Sequence, residues 1–248
     1  MNRIIRATTI AGVVACSAFA TLGVVPAFAD STGPSAPAPT SSAAAPHVHR
    51  TLATVQTAGA AATAKRITSL DTAIDRVTAN ATLTSSDKAT ILATLNGDLA
   101  GMKTVAAKIA ADTTLTQARA DYSTIFRNYR VYAVGLRQAA YAGLADHVTP
   151  TIAARLTAEE ARLSGRLSGK DAAKSTSALQ ADLTDMTAQI AKATGAVSGL
   201  AVGALAVTPA QFNSNHAVMA PFTASATAAR AALKQARSDA QTVRAALK

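Results

Sequence analysis

The stretch LQADLTDMTAQIAKATGAVSGLAVGALAV, Leu179 to Val207, decides the fold. Leu179, Leu183, Met186, Ile190, Ala193, Val197 and Leu200 follow at steps of four and three, the seam of an α-helix packed against other helices. Gly195, Gly199 and Gly203 fall on roughly the opposite side at 100° per residue, which gives the helix two packing faces. No Asp, Glu, Lys or Arg occurs from Ala193 through Ala229, so the segment is either the most buried helix of a bundle or one that meets lipid. The apolar run from Ala193 to Val207 is only 15 residues and is followed at once by Thr208 and Pro209. A spanning helix needs about 20. The reading is therefore a central, buried helix whose glycines let a second backbone approach, with membrane insertion of 193–207 as the alternative.

Working outward, the composition supports helices throughout. The chain has 248 residues, 49% of them hydrophobic, yet only 4% are aromatic and tryptophan is absent. Alanine makes up about a quarter of the chain, which favours thin cores of closely packed helices. Nowhere do β-branched and aromatic residues alternate with period two, so a sheet is excluded. The expected fold is all-α, an antiparallel helical bundle of about six long helices with coiled-coil-like packing.

The N-terminus reads as an export signal. Arg3 and Arg6 precede an apolar run from Ala7, and Ala27, Phe28 and Ala29 form a small-x-small site before Asp30, so cleavage is expected between Ala29 and Asp30. Val13, Val14, Ala15 and Cys16 also match a lipoprotein box, in which Cys16 would be acylated. The apolar run continues past Cys16 to Val25, as it does when a cysteine simply lies inside the hydrophobic region. Cleavage would remove the only cysteine and leave 22 basic against 14 acidic residues, a formal charge of +8. Such a surplus outside the membrane attracts anionic envelope polymers, acidic lipids or nucleic acid without choosing among them. Residues 30–50 are rich in Ser, Thr, Pro and Ala and read as an extended tether. His47 and His49 stand at its end with no third metal ligand nearby.

A helical pattern begins near Thr51. Ile67, Leu70, Ile74 and Val77 line one face, and Asn80 with Thr84 supplies a stop and a new cap. Leu92, Leu95, Leu99, Met102, Ala106 and Ile109 form the seam of a second helix, antiparallel to the first. Thr114 and Gln117 match a capping box for a third helix, expected to run unbroken to about Ala145. It aligns Tyr122, Phe126, Tyr129, Ala133, Leu136 and Ala140, with Arg119, Arg130 and Arg137 in a neighbouring row. Rings beside arginines invite a nucleic-acid or glycan reading. In a chain so short of large side chains, they are more simply its core.

Asp146 to Pro150 is expected to break the chain, with Thr149 as cap and Pro150 as the first residue of a fourth helix. That helix carries Ile152, Leu156, Leu163 and Leu167 and ends at Gly169. Its adjacent Glu159 and Glu160, the chain's only glutamates, point about 100° apart and read as solvated. Thr208, Pro209 and Gln211 cap a sixth helix that Pro221 kinks or restarts. Leu95, Asp98, Leu99 and Met102 recur in spacing as Leu179, Asp182, Leu183 and Met186, and each set is followed by a threonine-led start. This order predicts a duplicated three-helix unit, 51–147 and 148–248.

Candidate functional residues are few. Beyond Pro221, Ala229, Leu233, Ala236, Ala240, Val243 and Leu247 form a seam, while Arg230, Lys234, Arg237, Arg244 and Lys248 form a basic row about 90° around, most simply a solvated cationic face, with polyanion binding (nucleic acid or teichoic acid) as the alternative. His216, within Asn213 to His216, is the best candidate for a polar site, paired with Tyr129 because Asn128, Tyr129 and Val131 resemble Asn215, His216 and Val218. A hydrogen bond shared between two helices is the simpler role for that pair. The sequence has no nucleophile elbow, phosphate loop or zinc spacing, so no catalytic, metal or cofactor site is expected, nor a specific small-molecule ligand.

With its alanine-rich helices and the segments Ile67 to Ile74, Thr124 to Val134 and Asn213 to Pro221, the chain resembles the uncharacterised secreted helical proteins of high-GC Gram-positive bacteria (actinobacteria). The resemblance implies a place in the extracellular space or cell wall and brings no activity. Together these readings predict an exported, non-enzymatic helical module at the cell envelope. Its expected partner is an anionic cell-wall polymer or another helical protein.

Overall fold

The computed structural model describes residues 51–248, and among these every regular element is helical. The signal segment with Cys16 and the cut between Ala29 and Asp30 lies outside the described residues, as does the tether with His47 and His49. The helices are α1 Leu52–Ala79, α2 Ser85–Ala111, α3 Leu115–Arg127, α4 Gly135–His147, α5 Ala154–Ser168, α6 Ser177–Val197, α7 Leu200–Leu205, α8 Pro209–Ser214 and α9 Ala220–Ala246. The all-α bundle is the architecture the periodicity predicts. None of these helices is long and apolar enough to cross a membrane.

Caps set the helix starts, at Thr84, Thr114 and Thr208 as the sequence indicates and also at Thr176. The hydroxyls of Thr84, Thr114 and Thr176 accept N–H bonds from Asp87, Gln117 and Leu179 at 3.2–3.3 Å. At α8 the full capping box forms, with Thr208 Oγ1 accepting from Gln211 N at 3.2 Å and Gln211 Oε1 accepting from Thr208 N at 2.8 Å. Pro221 lies in the first turn of α9, where a missing N–H leaves no bond unmade.

Three expected boundaries are corrected. The third helix does not run to Ala145: α3 stops at Arg127, and α4 begins at Gly135 after an elbow in which Arg130 takes φ 47°. The break expected at Asp146–Pro150 is absent, because a π-helical turn over Val148–Ala153 joins α4 to α5 as one rod. Proline has no N–H to give and its ring crowds the preceding turn, and widening that turn accommodates both without ending the helix. The opening stretch is two helices. α6 ends at Val197, Gly199 adopts φ 72°, and α7 leaves on a new line.

The seam of that stretch is nevertheless buried throughout, from Leu179 to Leu200. Its glycines do not bring backbones together. A Cβ on Gly195 or Gly199 would meet nothing within 4 Å, and on Gly203 it would meet the Phe222 ring at 2.8 Å. Ala193, Val197, Ala201, Ala204 and Val207 turn into the protein and leave Val202, 74% exposed, as the outward apolar side chain. The run is apolar because it fills the interior.

Two hydrophobic clusters result. One is built on α1, α2 and α3, from Leu70, Leu95, Met102, Ile109 and Ile125, and also takes Ala142 of α4 and Ala201 of α7. The other is built on α5, α6 and α9 and takes Val134 and Tyr141 from the earlier half. The helices α4 and α7 thus serve both clusters. The boundary expected at residues 147 and 148 falls inside the rod, and the described residues, 51–248, lie within one compact unit.

One device occurs twice. Gln56 Nε2 donates to the carbonyls of Ile109, Ala110 and Asp112 at 3.0–3.4 Å, which closes the end of α2. Gln138 Nε2 donates to those of Ala204, Leu205 and Val207 at 2.7–3.2 Å, which closes the end of α7. Each amide satisfies carbonyls that a helix end leaves without partners, immediately before a threonine-led start.

Candidate polyanion-binding face

The basic row on α9 is exposed because the buried seam lies about 90° around the helix from it. Ala229, Leu233, Ala236, Ala240, Val243 and Leu247 are all buried, mainly against α6, so Arg230, Lys234, Arg237, Arg244 and Lys248 stand in solvent. The one carboxylate of α9 points the other way. Asp239 is 6% exposed at the α6 interface, accepting from Gln235 Nε2 at 2.8 Å through Oδ1 while Oδ2 has no partner. Burial, then the charges of Asp185 and Asp182, raises its pKa, and it does not neutralise the row.

A second stripe adjoins the first. Leu156, Leu163 and Leu167 bury one side of α5, which leaves Arg155, Glu159 and Arg162, at steps of four and three, along another. Glu159 Oε1 lies 3.0 Å from Arg244 Nε and 2.7 Å from Arg162 Nη2, and its Oε2 accepts from Arg162 Nε at 3.1 Å. Two turns on, Arg166 Nη2 donates to Leu247 O at 2.9 Å while its Nε holds Asp171 Oδ2 at 2.6 Å. These tether points advance together along both chains, so α5 runs parallel to α9 with its Arg155–Arg162 stripe beside the basic row. The face carries Arg155, Arg162, Arg230, Lys234, Arg237, Arg244 and Lys248 around one carboxylate.

Glu159 is half-buried and forked between two guanidinium groups, not free in solvent as expected. The hydrogen bond from Arg162, followed by the charges of Arg162 and Arg244, lowers its pKa, so it stays ionised. It cancels one of two arginines and leaves the triad cationic. Among the described residues, Arg230, Lys234, Arg237 and Lys248 have no carboxylate within 4.0 Å. Reading the row by itself missed Arg155 and Arg162. Their seven-residue spacing through Glu159 was visible, but the neighbour of that stripe was not.

His216 and Tyr129 are not brought together in a shared hydrogen bond. The Tyr129 ring occupies the space a Cβ on Gly101 would take, whereas His216 is exposed and stands edge-on to Phe212, ring centres 5.1 Å apart. Between them lies a latch. Arg130 stacks over Phe212 at 5.2 Å and donates through Nε to Asn213 Oδ1 at 2.7 Å, while Asn213 Nδ2 donates to Arg127 O at 2.8 Å. Arg66 lies over both Phe126 and Tyr132, at 4.6 and 5.1 Å. These arginines hold rings and loops in place.

Elsewhere, a shallow open groove of about 340 Å³ is lined by Thr82, Thr84, Asp87, Asp146, Pro150 and Val202, among others. Its acids serve the start of α2, with Asp146 Oδ2 accepting from Thr84 N at 2.7 Å. Burial first, then the charge of Asp146, raises the pKa of Asp87. No group of three or more His, Cys, Asp or Glu among the described residues is arranged to hold a metal ion.

Guanidinium forks and ammonium groups spread over two parallel helices bind anionic oxygens, and this face offers little else chemically. No protein-family model matches the chain, and neither a curated protein nor a solved structure shows significant similarity to it.

Proposed function

We propose that the protein is an exported, non-enzymatic helical module that acts at the cell envelope by holding an anionic polymer on the face shared by α5 and α9. The observation that carries this reading is that face itself, with seven exposed cations, Glu159 forked between two of them, Asp171 paired to Arg166 at its end, and the acid of α9 turned inward. The N-terminal export pattern supports a location among wall polymers, and the net positive charge supports attraction to anions. The titratable groups with altered pKa favour the same view. Asp87 lies at a helix start, Asp98 beside Gly135 and Asp239 inside a helix interface, without a nucleophile paired to a base.

The test is retention of purified protein on isolated cell walls, compared with a variant in which Arg230, Lys234, Arg237, Arg244 and Lys248 are all replaced by glutamine. The wild type is expected to be retained, with affinity falling about 100-fold between 50 and 200 mM salt if five charges are neutralised by a flexible polymer. The variant should wash through. Equal retention of the two proteins, or retention indifferent to salt, refutes the proposal.

A further inference from the structure

Resting on that reading, we propose that the polymer is a linear phosphodiester chain without bases, a polyol phosphate, lying along the face shared by α5 and α9. The first argument is spacing. At 1.5 Å per residue, Lys234, Arg237, Arg244 and Lys248 stand about 6, 10, 21 and 27 Å along α9 from Arg230. A gap of roughly 10 Å therefore surrounds Gln241. The Glu159–Arg244 and Arg166–Leu247 contacts set α5 alongside, which puts Arg155 at about 9–15 Å and Arg162 at about 20–25 Å. The seven cations then span about 27 Å of the face, on average about 4–5 Å apart. A repeat of six backbone bonds extends to about 7 Å, since three such bonds span 3.8 Å in a peptide. A chain of five phosphates therefore fills the face from Arg230 to Lys248.

The second argument is the type of cation. Five of the seven are arginine, whose planar fork grips two oxygens of one phosphate where an ammonium offers a point charge. The third is what lies between them. Along α9 the exposed neighbours include Ala231, Gln235, Ser238, Gln241 and Thr242, and α5 has no aromatic residue. The aromatic residue of α9, Phe222, packs towards Gly203. A single-stranded nucleic acid gains much of its affinity by stacking bases on rings, and this face supplies none.

The experiment is fluorescence anisotropy of the full purified chain with end-labelled glycerol-phosphate oligomers of two to eight repeats, oligothymidylates of matched phosphate number, and polyglutamate of matched charge. For glycerol phosphate, affinity should rise with each repeat up to about five phosphates and then level off. Oligothymidylate is expected within threefold of the matched glycerol phosphate, and polyglutamate at least tenfold weaker. The double variant Arg155→Gln, Arg162→Gln should lower the slope of log affinity against log salt by about 1.4. Thymidylate binding tenfold tighter, polyglutamate binding equally well, or an unchanged slope in the double variant overturns the polyol-phosphate assignment while leaving a polyanion-binding face intact. Binding to none of the three polymers removes both readings.

Discussion

Replacing Gln138 by methionine keeps the volume of the side chain and removes its two N–H donors. Gln138 is 5% exposed in the first turn of α4, and its amide serves Ala204 O at 2.9 Å, Leu205 O at 3.2 Å and Val207 O at 2.7 Å. Ala204 O keeps a bond from Val207 N at 3.2 Å, so the loss falls mainly on Val207 and Leu205. A buried carbonyl left without a donor costs about 1–3 kcal/mol, and an isosteric apolar swap adds little strain. The expected destabilisation is about 2 kcal/mol. With a urea m-value of about 2 kcal/mol/M, the midpoint followed by far-UV circular dichroism should fall by about 1 M. Gln56→Met is the internal comparison. Gln56 makes the same three bonds at the half-exposed end of α2, where water replaces the lost donors, so its midpoint should fall by less than half as much. If Gln56→Met costs as much as Gln138→Met, or if neither moves the midpoint, burial of the capped carbonyls is not what makes the device matter.

Other perturbations follow from the same geometry. Gly101→Ala drives a methyl into the Tyr129 ring and should lower stability by about 2 kcal/mol; adding Tyr129→Leu should recover part of this in a double-mutant cycle. Burial pushes the Asp98 carboxyl up to about 6 from its ordinary 3.8, so the folded state holds this proton more tightly than the unfolded state. The contribution of Asp98 to stability is therefore full below about pH 4, is lost as pH rises through about 6 and is level above that; Asp98→Asn should remove this loss and gain about 2 kcal/mol at pH 7 in thermal melts, discounting for partial exposure. Asn213→Ala releases Arg130 and the Arg127 carbonyl and should cost about 1 kcal/mol. In that background Arg130→Gly should return about 1 kcal/mol in chemical denaturation, because glycine takes φ 47° without strain.

What the sequence determined by itself is the part of the fold governed by neighbours within a turn or two. The 3-4 spacing of Leu179 to Leu200 and of Ala229 to Leu247 marks the sides that are buried, and Thr84, Thr114 and Thr208 mark the starts, because caps and amphipathic seams are local physics. The basic row on α9 was legible for the same reason. Where the helices bend was decided elsewhere. Nothing near Arg130 forbids a helix, and the elbow there is held by Asn213, 83 residues away in sequence. Pro150 by local rules ends a helix, yet Val148 and Ala153 are buried on either side and one widened turn carries the rod through. Gly199 reads in sequence as a packing glycine inside one helix, and only docking of α7 onto α4, through Gln138, makes it a turn. The pairing of Arg155 and Arg162 with the α9 row belongs to the same class. The stripe was visible in sequence, but that it lies beside the row follows from the parallel packing of α5 and α9, fixed by contacts more than eighty residues apart.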